Sequence, residues 1–138
     1  MSTFRRKPTT NKANKQAILA SMHQWPASWA ATGDDVEPGK RLVEHMRPFV
    51  IHLLEEGYSA TTVRCHLNNL WAIGGEVVRQ FTYDPPLRRR SARQLLLDAV
   101  GADDSPLLPD ASEPEQRSAD STARKLHRFL RSGENGTP

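Results

Sequence analysis

The chain has 138 residues, 37% of them hydrophobic and 25% charged, with a formal net charge of +3. That is the size of one ordinary domain. No stretch approaches the ~20 apolar residues of a membrane-spanning helix, which excludes an integral membrane protein of that kind. The single cysteine, Cys65, excludes an internal disulfide framework and a multi-cysteine zinc site, and it fits a reducing cytoplasm, the expected location.

Residues 1–15 carry Arg5, Arg6, Lys7, Lys12 and Lys15 without an acid. They lack hydrophobic periodicity and are expected to form a disordered basic tail. This start also lacks the apolar run of a secretory signal. A single helical domain is expected over 16–133, followed by a disordered tail at 134–138. Within 16–31, Ile18, Leu19 and Met22 suit a short helix that Pro26 interrupts. Trp25 and Trp29 are expected to tuck against the main body; left exposed, they would mark a partner site.

The first strong helix is expected over 38–56. Leu42, Val43, Met46, Phe49, Val50, Leu53 and Leu54 recur at three- and four-residue steps, which lays them on one face. Pro38 suits the first turn, and Gly57 the stop. Pro48 should kink or divide the helix, because it removes one backbone bond and crowds the preceding turn. Ser59 then caps a second helix over 60–81, whose stripe runs through Val63, Leu67, Leu70, Trp71, Gly74, Val77, Val78 and Phe81. Gly74 on that stripe would let another helix approach closely.

Tyr83-Asp84-Pro85-Pro86 is a breaker. Ser91-Ala92-Arg93-Gln94 matches a capping box that opens a short third helix, with Leu95, Leu96, Ala99 and Val100 inward and Gly101 closing it. Residues 102–117 read as an acidic, proline-rich loop pinned by Leu107 and Leu108. A last helix over 119–131 buries Ala123, Leu126, Phe129 and Leu130. The expected fold class is all-α, a small bundle of about four main helices.

The chemistry of the side chains points away from catalysis. His45 and His52 share a helix face but stand about 10 Å apart along its axis, too far to hold one metal alone. No histidine pair has the i, i+4 spacing of a zinc-binding helix. Nothing resembles a nucleophile elbow or a glycine-rich phosphate loop. No catalytic residue, metal ligand or cofactor is expected, and the chain is read as a non-enzyme.

The basic residues are more informative. Arg88, Arg89, Arg90 and Arg93 stand at a helix start, where positive charge opposes the helix dipole. A phosphate between them and the free N–H groups would relieve that conflict. The plainer reading is a solvated linker, or pairing with the acids of the 103–115 loop. The second helix offers Ser59, Thr61, Thr62, Arg64 and Asn68 on a polar face, suited to phosphates and base edges. The last helix adds Lys125 and Arg128. These residues together form the expected contact surface for double-stranded DNA, with a log K against log salt slope of about −4 to −5.

The pattern Phe49-(x)3-Leu53-(x)3-Gly57-Tyr58-Ser59-Ala60-Thr61-Thr62-Val63-(x)3-Leu67-(x)2-Leu70 resembles the core-binding domain of tyrosine recombinases. Gly57, Ser59, Thr62 and Val63 occupy that module's signature turn and helix start. Leu70-Trp71-(x)2-Gly74-Gly75-Glu76 and Asp120-Ser121-Thr122-Ala123-Arg124-Lys125-Leu126 are similar to segments of small helical proteins encoded beside such recombinases on bacterial mobile elements. The resemblance implies a helical module that clamps one side of recombining DNA, with DNA and a recombinase as partners. The recombinase catalytic domain has no counterpart, and His127-Arg128-Phe129-Leu130-Arg131 lacks the family's His-x-x-Arg spacing. The expected function is therefore a non-catalytic DNA-binding module. The alternative is a helical protein–protein adaptor, or an accessory subunit of a recombinase or a toxin–antitoxin type system, working through Trp25 and Trp29.

Overall fold

The structure, a computed structural model, describes residues 12–101 and 104–136. They form α1 (Lys12–Ser21), α2 (Trp25–Trp29), α3 (Val36–Glu55), α4 (Ala60–Tyr83), α5 (Ala92–Ala99) and α6 (Glu113–Gly136). Short 3-10 turns stand at Met22–Gln24, Gly33–Asp35 and Pro85–Arg89, and the described residues include no strand. The all-α class expected from periodicity is the class observed.

Helix α3 forms because its apolar residues recur at helical steps. Leu42, Val43, Met46, Phe49, Val50, Leu53 and Leu54 are all buried. Pro48 lies inside α3, yet the helix runs unbroken from Val36 to Glu55. The proline sits on the exposed side. Buried anchors before and after it outweigh the one missing backbone bond. Gly57, at φ 82°, turns the chain out of α3 in a conformation that only glycine adopts cheaply. Ser59 then accepts the Thr62 backbone N–H at 3.2 Å and starts α4.

Helix α4 buries Val63, Leu70, Ile73, Gly74, Val77, Val78 and Phe81. The reason for Gly74 is Trp29: a Cβ at residue 74 would lie 2.4 Å from the indole Cζ2. Two hydrogen bonds hold that contact. Trp29 Nε1 donates to the Trp71 carbonyl at 2.9 Å, and Trp71 Nε1 donates to Ser28 Oγ at 2.9 Å. Trp25 packs beside Trp29 with ring centroids 5.8 Å apart and the ring planes tilted by 51°. The two N-terminal tryptophans therefore join α2 to the main body, as expected, and Trp71 is the exposed one.

Helices α3 and α4 differ from expectation by one or two residues, at Val36, Glu55 and Tyr83, and three other boundaries differ by more. Helix α1 starts at Lys12, inside the stretch expected to be a disordered tail; residues 1–11 of that tail lie outside the described residues. Helix α6 starts at Glu113, within the expected acidic loop, because Ser112 and Glu115 form a capping box. Ser112 Oγ accepts the Glu115 N–H at 3.2 Å, and the Glu115 carboxylate accepts the Ser112 N–H at 2.9 Å. At its other end α6 continues to Gly136, into the expected second tail, of which residues 137–138 lie outside the described residues.

The remaining loop is pinned by polar contacts. Asp120 Oδ1 accepts from Ser105 N at 3.0 Å, and Gln116 Nε2 donates to Ser105 Oγ at 2.9 Å. Leu107, expected to help pin it, is 80% exposed. Residues 102–103 of this loop lie outside the described residues.

Candidate nucleic-acid interface

The prolines of the breaker shape the first basic cluster. Pro85 and Pro86 open the 3-10 turn Pro85–Arg89, where their missing N–H groups are not needed. The turn folds Arg88 back over the end of α4, with its guanidinium carbon 5.9 Å from the Phe81 ring centre. There it meets Asp35, which is wholly buried at the start of α3. Arg88 Nε donates to Asp35 Oδ1 at 2.8 Å. Ala31 N and Thr32 N donate to Asp35 Oδ2 at 2.9 and 3.3 Å. Burial by itself would raise the Asp35 pKa. The Arg88 hydrogen bond, the two backbone donors and the Arg88 charge outweigh it, so the carboxyl titrates below its ordinary value.

The neighbouring arginines differ in their commitments. Arg90 pairs with Asp98 at 2.7 Å, with both side chains half exposed. Arg93 Nη2 reaches the Leu130 carbonyl at 3.4 Å. Arg89 is exposed and forms no ion pair among the described residues. The plainer reading offered a solvated linker or pairing with the acids of the 103–115 loop; the carboxylates bound to Arg88 and Arg90 are instead Asp35 and Asp98. Sequence reasoning missed Arg41, whose Nη2 donates to the Arg88 carbonyl at 2.6 Å. Its partner is 47 residues away along the chain, so no local pattern marked it.

At the other end of α4, Ser59 and Thr62 are occupied in the cap, their hydroxyls 3.0 Å apart. Thr61, Arg64 and Asn68 are exposed and recur at three- and four-residue steps, so they share one outward face. Asn69 turns inward and donates to Ser118 Oγ at 3.0 Å and Thr122 Oγ1 at 2.8 Å. His66 Nδ1 lies 2.6 Å from the same Thr122 hydroxyl. Burial, and then the Lys125 charge, lower the His66 pKa from its ordinary value. These bonds dock α6 on α4 and place half-buried Lys125 near the seam.

On α6, Arg128 is exposed. It belongs to a larger set. Arg117, Arg124, Arg128 and Arg131 are all exposed and follow one another at seven-, four- and three-residue steps. On an α-helix that spacing confines them to an arc of about 60° and a length of about 21 Å. Arg117 contacts Glu113 at 3.9 Å with both side chains exposed, and the Arg124 charge acts on Asp120. The same steps are legible in the sequence once the helix is known to begin at Glu113.

The expected contact residues thus fall into separate places. Phe81, under Arg88, lies about 30 Å along α4 from Thr61 and is rotated about 200° around its axis. Arg88, Arg89 and Arg90 therefore gather at one end of α4, and Thr61, Arg64 and Asn68 at the other, on a different face. Lys125 and Arg128 belong to α6. No group of three or more metal-ligating side chains occurs among the described residues, nor does any helix there that is long and apolar enough to cross a membrane. No family model, curated protein or solved structure matches the chain.

Proposed function

We propose that the chain is a non-catalytic helical module that binds the phosphate backbone of double-stranded DNA, chiefly through the outer face of α6. The observation that carries this reading is the stripe of Arg117, Arg124, Arg128 and Arg131 on one exposed arc. Over its length of about 21 Å a duplex presents on the order of twelve phosphates, one per ~1.7 Å of axis. Lys125 adds charge at the edge of the stripe. Thr61, Arg64 and Asn68 supply further donors from the outward face of α4.

Arg88 and Arg90 take a lesser part, because Asp35 and Asp98 already neutralise them. The resemblance to the recombinase core-binding module favours the same partner, with a recombinase acting on the same DNA. Gly57, Ser59 and Thr62, three of the residues that carry that resemblance, also close the α3–α4 hairpin. The adaptor alternative is weakened by Trp29, which is only 9% exposed and locked against α4.

Fluorescence anisotropy with a labelled duplex, measured across a salt series, tests the proposal. The expected slope of log K against log salt is about −3 to −4, one stripe of phosphate contacts. Arg124→Glu with Arg128→Glu should abolish binding and leave the circular dichroism unchanged. Binding that is absent, independent of salt or indifferent to that double substitution would reject the reading.

A further inference from the structure

We infer that a second site, independent of the α6 stripe, takes a phosphorylated small molecule of nucleotide size. It is an open groove of about 770 Å³ between the start of α3 and the Pro85–Arg89 turn, lined by Asp34, Pro38, Arg41, Pro85, Pro86, Arg88 and Arg89. Ligand sites commonly measure about 300–1,000 Å³, so the groove has the capacity of one small organic ligand.

Its chemistry divides in three. Arg41 and Arg89 supply the cationic part, since the Arg88 charge is matched by buried Asp35. Planar, always-charged guanidinium groups are suited to a phosphate, which they can bind in bidentate fashion. Pro38, Pro85 and Pro86 supply apolar walls with no N–H donors of their own, which favours a ligand with an apolar or ring-like body. Asp34 supplies an acceptor for a hydroxyl or amino hydrogen. A polymer phosphate needs only the first of these; a nucleotide-like ligand uses all three.

The groove is also preorganised. Asp35, 0% exposed, fixes Arg88 through a 2.8 Å bond. The Arg88 carbonyl in turn fixes the Arg41 guanidinium at 2.6 Å. A ligand anion therefore meets an arginine already held in place, so little side-chain freedom is lost on binding.

Isothermal titration of the full chain with adenosine monophosphate, adenosine and inorganic phosphate tests this. The monophosphate should bind at one site, at least about tenfold more tightly than either fragment, the scale of one charge-assisted hydrogen bond. Arg89→Gln should weaken the monophosphate about tenfold with an unchanged circular dichroism spectrum, while Arg128→Gln should leave it unaltered. Equal binding of adenosine or of phosphate, no binding of the monophosphate, or indifference to Arg89→Gln would overturn the inference. Duplex binding is scored separately. Loss of duplex affinity in Arg124→Glu/Arg128→Glu with intact monophosphate binding confirms that the two sites are distinct. Competition of the monophosphate for the duplex would overturn their independence.

Discussion

At the scale of single residues, Asp35 is tightly constrained. It accepts hydrogen bonds from Ala31, Thr32 and Arg88 while wholly buried. Arg88→Met would strand that carboxylate, and stranding one member of a buried pair costs about 3–5 kcal/mol. Urea unfolding should show a loss on that scale. The sign of the pH effect follows from the lowered Asp35 pKa. Its stabilisation is complete above the ordinary value of 3.8 and is lost as pH falls through the lower folded value. Asp35→Asn removes this titration, so the stability gap between wild type and variant should narrow below pH 3.8.

Gly74 poses a contest between two terms. Alanine there gains about 1 kcal/mol of helix propensity. Against that, overpacking costs about 1–3 kcal/mol, and here the intruding Cβ meets a rigid indole at 2.4 Å. Gly74→Ala should therefore destabilise, by up to about 2 kcal/mol. Trp29→Phe in the same chain should recover part of the loss, and a double-mutant cycle in urea would measure that coupling.

At the scale of elements, side-chain caps decide where helices start. Ser59, Ser91 and Ser112 each accept a backbone N–H three residues on. Ser112→Ala should cost about 1 kcal/mol and speed hydrogen exchange at the first turn of α6, with no change in exchange at α3. The box at Ser91 is only half made: the Gln94 side chain turns forward to Asp98 at 2.7 Å. The box at Ser112 is complete, and Ser112-Glu113-Pro114-Glu115 spells it in the sequence. It was hidden by the proline and acid content around it, which reads as loop when composition is weighed before spacing. Leu107 misled for the opposite reason: apolar character promised burial, while hydrogen bonds among Ser105, Gln116 and Asp120 already held the loop.

At the scale of the whole molecule, acid should weaken the fold in two stages. Burial lowers the pKa of His45 and of His66, with the Arg93 and Lys125 charges acting in the same direction. Both histidines stabilise fully in the neutral form, above the ordinary value of 6.5, and that stability is lost as pH falls below it. The second stage lies below 3.8, where Asp35 and Asp120 protonate; Asp120 is held low first by the Ser105 N–H. Thermal unfolding across pH should show both declines. His45→Gln with His66→Gln should flatten the first and leave the second.

The helices themselves were legible in the chain, because apolar periodicity and serine caps act over three or four residues. The all-α class, the α3–α4 hairpin around Gly57 and the inward stripe from Val63 to Phe81, apart from exposed Trp71, follow from such local rules. The state of each arginine does not. Asp35 and Arg88 are 53 residues apart, Arg41 and Arg88 are 47, and Arg93 and Leu130 are 37. Whether a guanidinium is engaged or presented to solvent depends on which distant carboxylate or carbonyl the packing brings within 3 Å or so. That is a property of the collapsed chain, and local sequence spacing does not reveal it.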